Sequence, residues 1–104
     1  MQIQITGKKL DVSESLRRQS EEKIQDVSQK YDLRPLESSI TFSKDGPLVR
    51  CDIEMHLGRG VYVRAYQDTN DAYLSLDQAI DTFEKRLRRH KKKLIDHNKK
   101  RDVV

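Results

Sequence analysis

The chain has no tryptophan, a single cysteine, two prolines and four glycines. One thiol, Cys51, excludes an internal disulfide and any cysteine-rich metal site within these residues. So few breakers leave no low-complexity linker, no internal repeat is present, and 104 residues read as one domain, 1–104, around one two-layered core. No run approaches the roughly 18 apolar residues of a membrane-spanning helix, and the opening lacks the apolar stretch of a signal peptide. A cytoplasmic protein is the expectation.

What the chain has in quantity is charge. Charged residues make up 37% and hydrophobic residues 35%, which sets a small core against a highly charged surface. The formal net charge of +4 conceals a split: residues 1–84 carry 11 cations and 15 acids, whereas residues 85–104 carry 10 cations and 2 acids. A positive field that local steers phosphates and releases counterions on binding, so it points to a polyanionic partner. On charge alone RNA, DNA and anionic membrane all remain open.

The hydrophobic pattern orders the chain. Residues Gln2 to Gly7 alternate strictly, with Ile3 and Ile5 on one face, and predict a half-buried strand. Asp11 and Glu14 have capping-box spacing, and Leu16, Ser20, Ile24, Val27 and Tyr31 form one stripe, predicting a helix from about Val12 to Tyr31. Arg34-Pro35 marks a connector. Three alternating segments follow. Ile40 and Phe42 point inward from the first, Val49, Cys51, Ile53, Met55 and Leu57 from the second, and Val61, Val63 and Ala65 from the third. Asp45-Gly46-Pro47 and Gly58-Arg59-Gly60 are the intervening turns. Asp68, Thr69, Asn70 and Asp71 supply possible caps for a last helix, Asp71 to Arg101, whose apolar stripe is Tyr73, Leu76, Ile80, Phe83, Leu87 and Leu94. The fold class is therefore α+β, in the order β-α-β-β-β-α: a four-stranded mixed sheet with both helices on one face, like a double-stranded-RNA-binding domain. The last helix is long enough to overhang the sheet, and its basic tail is expected to fray from about residue 95.

Catalytic chemistry finds no footing. A nucleophile needs a Cys or Ser beside a His and an orienting acid, but Cys51 alternates inward and reads as core. His90 and His97 lie about 10 Å apart along a helix, too far for one metal ion without further ligands. Asp77, Asp81 and Glu84 stand at spacings of four and three and read as helix-dipole compensation and as partners for Lys85 or Arg88. No enzyme, cofactor or metal is expected. On the wet sheet face Tyr62 and Tyr66 flank Arg64; they either stack on bases or stabilise the sheet across strands. The cations crowded after residue 84 repel one another, which favours a partner over an idle solvated face.

Three stretches carry a more specific signal: SLRRQSEEKIQDVSQKYD at Ser15 to Asp32, HLGRGVYVRA at His56 to Ala65, and DAYLSLDQAIDTFEKRLRRHKKKL at Asp71 to Leu94. With the opening MQIQITGKKLDVSESL, they resemble the bacterial ribosome hibernation-promoting factor family, also called ribosome-associated inhibitor A or sigma-54 modulation protein, over nearly the whole chain. The resemblance implies a non-catalytic protein that binds the small ribosomal subunit in the channel used by mRNA and tRNA, blocking translation during starvation or stationary phase. It implies rRNA-phosphate ligands at Lys85, Arg86, Arg88, Arg89, Lys92 and Lys93, with Lys23, near Arg17 or Arg18, as a further candidate on the first helix. The loop Asp32 to Leu36 departs from the family pattern, and no contact is carried over to Arg34. Long members of the family carry a linker and a second domain that pairs ribosomes. This chain thus reads as a short form, served by a separate dimerising partner, or as the N-terminal domain of a long form, monomeric in isolation.

Two rival readings remain. The α-β-β-β-α portion also resembles a general double-stranded RNA-binding module. A membrane-surface protein would want Trp or Phe among the cations after residue 84, where only Leu and Ile occur.

Overall fold

Alternating segments build four strands and two 3.6-period stripes build two helices. They run β1 (Gln2–Lys8), α1 (Glu14–Lys30), β2 (Glu37–Asp45), β3 (Leu48–Gly58), β4 (Val61–Thr69) and α2 (Ala72–Asp102). The computed structural model describes residues 2–102, with side chains described over residues 2–90. The strands lie in sequence order in one sheet; β1 pairs parallel to β2, and β2, β3 and β4 pair antiparallel. This is the predicted mixed sheet with the predicted order of elements.

One face of the sheet is dry. Ile5, Ile40, Phe42, Cys51, Ile53, Met55, Val63 and Ala65 are buried there beneath Leu16, Ile24 and Val27 of α1 and Leu76, Ala79, Ile80, Phe83 and Leu87 of α2. The serines on the inner side of α1 are satisfied locally: the Ser20 and Ser28 hydroxyls donate to the carbonyls of Leu16 and Ile24 at 2.8 and 2.9 Å. Buried polar groups need such partners, and an i−4 carbonyl is the nearest.

Helix boundaries differ from the sequence expectation in three places, each for a local reason. Helix α1 begins at Glu14, two residues later than expected, because Ser13 rather than Asp11 caps it; Ser13 is extended and its hydroxyl accepts from the Leu16 amide at 3.1 Å. Its end is fixed by Asp32 at φ 51°, with Leu33 and Asp32 amides donating to the carbonyls of Ser28 and Gln29. That left-handed residue and bond pair form a Schellman motif. Among the candidate caps for α2, Asp71 is the one used: it accepts from the Tyr73 amide at 3.1 Å, and its carbonyl receives the Ser75 amide.

The predicted hairpin after β3 tightens to two residues. Arg59 and Gly60 both have positive φ, 54° and 72°, as a type I′ turn requires. Gly58 remains in β3, where the register with β4 shifts between His56 and Gly58. The backbone of α2 is helical through Asp102.

Candidate nucleic-acid interface

What α2 can present is decided by what it buries. Leu76, Ala79, Phe83 and Leu87 are at most 2% exposed, and the Ser75 hydroxyl donates to the Val49 carbonyl at 2.6 Å, fixing the start of the helix to β3. Tyr73 does not belong to this stripe. It is 37% exposed and its hydroxyl lies 3.2 Å from that of Ser13, joining the starts of the two helices instead. Leu76, Phe83 and Leu87 hold the centre of the contact with Ser75 and Ala79 on one side of it, which leaves Tyr73 at the opposite margin.

With the inner face committed, a step of 100° per residue distributes the cations around the remaining arc. Lys85 and Arg89 lie at the crest, Arg88 on the flank facing α1, and Arg86 on the flank facing β4. Their surroundings differ. Lys85 pairs with Asp81 at 3.2 Å, an i,i+4 ion pair, and Lys23 of α1 pairs with Asp77 at 2.9 Å. Arg88 donates to the Tyr31 hydroxyl at 2.9 Å; Tyr31 and Lys30 both donate to Glu84, at 3.3 and 3.0 Å. The bond to Glu84 raises the Lys30 pKa. This seam gathers Lys30 and Arg88 around one carboxylate and keeps a positive excess. Arg86 donates to the main-chain carbonyl of Arg64. Among the described residues Arg86, Arg88 and Arg89 have no carboxylate partner, so their charge is available to an external anion. Lys92 and Lys93 lie on the same helix, but their side chains are outside the described residues.

The sheet's wet face is a set of pairs. Arg50 bridges Asp68 with two bonds of 2.7 and 3.1 Å and lies 4.3 Å from the Tyr66 ring centre; Asp68 is held below the usual carboxylate range by that guanidinium. Arg64 makes a second bidentate pair with Asp52. Directly cross-strand from one another, His56 and Tyr62 stack with ring centres 4.3 Å apart and planes 7° apart. The cross-strand role foreseen for the tyrosines is thus realised in both cases, though Tyr62 remains 58% exposed and Tyr66 48%.

At the free edge of β4 these two surfaces meet. Tyr62, Val63 and Arg64 from the strand and Arg86, Arg89 and His90 from the helix line an open groove of about 500 Å³. The bond from Arg86 to the Arg64 carbonyl covers an edge-strand acceptor that would otherwise be free to template another strand. His90 is half-buried beside it, and its Nε2 has no hydrogen-bond partner among the described residues.

The first-helix candidates have partners of their own: Lys23 pairs with Asp77, and Arg17 donates to the Ile5 carbonyl at 3.2 Å. The structure brings together Arg86 and Arg89 with Arg64, and Arg88 with Lys30. Sequence reasoning did not foresee Arg64 and His90 in the site. The alternation of β4 shows that Tyr62 and Arg64 share a face, but only the packing of α2 along the β4 edge shows that they meet Arg86. No described helix is long and apolar enough to cross a membrane, and no group of three His, Cys, Asp or Glu side chains gathers among the described residues.

The sequence model of the family described as sigma 54 modulation protein / S30EA ribosomal protein matches residues 3–95, nearly the whole of this chain. The chain belongs to that family. Among S30EA-family relatives, it is 38% identical over 104 residues to a ribosome hibernation promotion factor of Bradyrhizobium diazoefficiens, covering 100% of this chain and 51% of the relative. A factor of the same name from Rhizobium meliloti is 34% identical over 98 residues, covering 94% of this chain and 52% of that one. The chain thus spans about half the length of these curated relatives. In three dimensions it resembles the N-terminal domain of Protein Y from Thermus thermophilus, with a TM-score of 0.75 at 25% identity over 86% of this chain and 99% of that domain. The S30EA match includes α1 and α2 as far as residue 95, so the groove and the helix seam lie within the matched segment.

Proposed function

We propose that this chain is a ribosome-binding inhibitor of translation, which docks on small-subunit rRNA in the channel used by mRNA and tRNA and holds ribosomes inactive during stationary phase or stress. The observation that carries the reading is the outward display of Arg86, Arg88 and Arg89 without carboxylate partners among the described residues, on a helix locked in place by Phe83 and Leu87. Phosphates are the matching ligands: guanidinium binds their oxygens in paired, charge-assisted bonds. The names of the two rhizobial relatives support a ribosomal partner over other polyanions. Such contacts fix position on rRNA through phosphate geometry rather than base sequence. The protein acts in the cytoplasm, without catalysis, cofactor or membrane, and as a monomer. Pairing of ribosomes, where it occurs, falls to a separate factor or a further domain.

Charge reversal tests this. Arg86→Glu combined with Arg89→Glu lowers affinity for purified small subunits by at least about tenfold per residue, while the lost bond to the Arg64 carbonyl lowers stability by no more than about 1.5 kcal/mol and leaves the variant folded. A folded double variant that still co-sediments with subunits would remove α2 from the interface. Competition separates a general duplex binder: excess double-stranded RNA should leave most of the protein on the subunits, and complete stripping at equal nucleotide concentration would favour the general module.

A further inference from the structure

We infer that the groove between the β4 edge and α2 is a seat for one unpaired nucleotide of an RNA strand, with the base on Tyr62 and the adjoining phosphate on Arg86 and Arg89. The inference deepens the ribosomal reading and rests on it for the choice of RNA as the strand. Its basis is the conjunction of three features in one place. The groove, at about 500 Å³, falls within the range of small-molecule sites, about 300–1,000 Å³. Tyr62 is stacked on His56 through one ring face, is 58% exposed and lines the groove, which leaves its other ring face for a base. Across from it stand two guanidiniums with no carboxylate partner among the described residues.

The arginines have different parts. Arg64 is tied to Asp52 by two bonds and cannot turn to a phosphate without breaking them. Arg86 is anchored through one nitrogen to the Arg64 carbonyl, which orients the guanidinium while leaving its other donors for an anion. Arg89 has no hydrogen bond or ion pair among the described residues. His90 closes the groove beside them; its Nε2 is buried without a hydrogen-bond partner among the described residues, so the phosphate contacts fall to the two arginines. A base in a duplex has both faces covered by its neighbours, so only an unstacked one can use the open face of Tyr62. Arginine beside an aromatic platform is the arrangement by which proteins hold single strands.

The test compares the 104-residue protein's affinity for an adenylate hexamer, an abasic ribose-phosphate hexamer and adenosine monophosphate, followed by tyrosine fluorescence and NMR shifts at low salt. Wild type should prefer the adenylate hexamer to the abasic one by about tenfold, the scale of one base–aromatic stack. Tyr62→Phe should keep that preference and Tyr62→Ala should abolish it; because Tyr62 is exposed, both variants should remain folded, which the NMR spectrum verifies directly. Equal binding of the two hexamers by wild type, a preference that survives in Tyr62→Ala, or binding of neither hexamer would overturn the inference. If adenosine monophosphate bound as tightly as the hexamer, the ligand would be a free nucleotide and the strand assignment would fail. Co-sedimentation of wild type with small subunits is scored separately: a chain that binds subunits but shows no base preference loses the nucleotide seat and retains the ribosomal reading, and the reverse result does the opposite.

Discussion

At the scale of single residues, the molecule separates cations that are used internally from cations that are displayed. Lys23 and Lys85 each have a carboxylate within 3.2 Å, Arg50 and Arg64 are each held by a bidentate pair, and Arg86, Arg88 and Arg89 are left with neutral partners or none among the described residues. Exposed ion pairs stabilise by no more than about 1 kcal/mol, so Lys23→Ala should change melting little. It should also weaken subunit binding by less than about threefold, against at least tenfold for Arg89→Glu. Comparable losses from both would show that the Lys23–Asp77 pair opens on binding. Cys51 provides a pH-dependent prediction. Burial pushes its thiol up from 9.0 to about 12, so the native chain favours the neutral form. That contribution is complete below pH 9 and is lost as pH rises toward 12. At pH 8 the native protein should hold about a thousandfold less thiolate than the unfolded chain, and labelling by a thiol reagent should follow unfolding. Rapid labelling of the folded protein would contradict this burial.

Elements were more legible than their ends. Strict alternation through Val49, Cys51, Ile53 and Met55 leaves a strand as the only way to put those four on one side, and the structure buries the last three completely. A helix from Asp71 was equally plain, but Tyr73 shows the limit of counting by periodicity. An apolar residue at the margin of a stripe packs inward or outward according to which neighbouring element reaches it, and Tyr73 meets the start of α1 at Ser13. Capping was ambiguous for the same kind of reason: Asp11 and Ser13 are both good caps, and Ser13 is the one placed at the entry. Ser13→Ala should lower stability by about 1 kcal/mol through the lost bond to Leu16, with subunit binding unchanged. Phe83→Ala should cost about 3–5 kcal/mol, since its ring is fully buried between α2 and the sheet. Thermal and denaturant melts of the two variants would measure both effects. A negligible loss for Phe83→Ala would mean that α2 is not anchored where the structure has it.

The molecule as a whole is a small sheet carrying a helix longer than itself. At about 1.5 Å per residue the 31 residues of α2 span roughly 46 Å, whereas the 11 residues of β3 span roughly 37 Å. One face of the sheet is closed by helices and the other by its own salt bridges, so the positive charge projects from the helix and the β4 edge. The concentration of cations after residue 84 was visible in the chain, but their division between two flanks was not. That division follows from the tertiary placement of α1 and β4 on either side of α2. A surface that binds by displacing counterions should lose affinity steeply with salt, with a log–log slope beyond about −2 for three or more phosphates. The central claim is that this surface occupies the channel of the small subunit, and sedimentation tests it most directly. Purified small subunits should carry the protein down when empty and should release it when preloaded with mRNA and tRNA. Equal co-sedimentation with empty and loaded subunits would contradict the account.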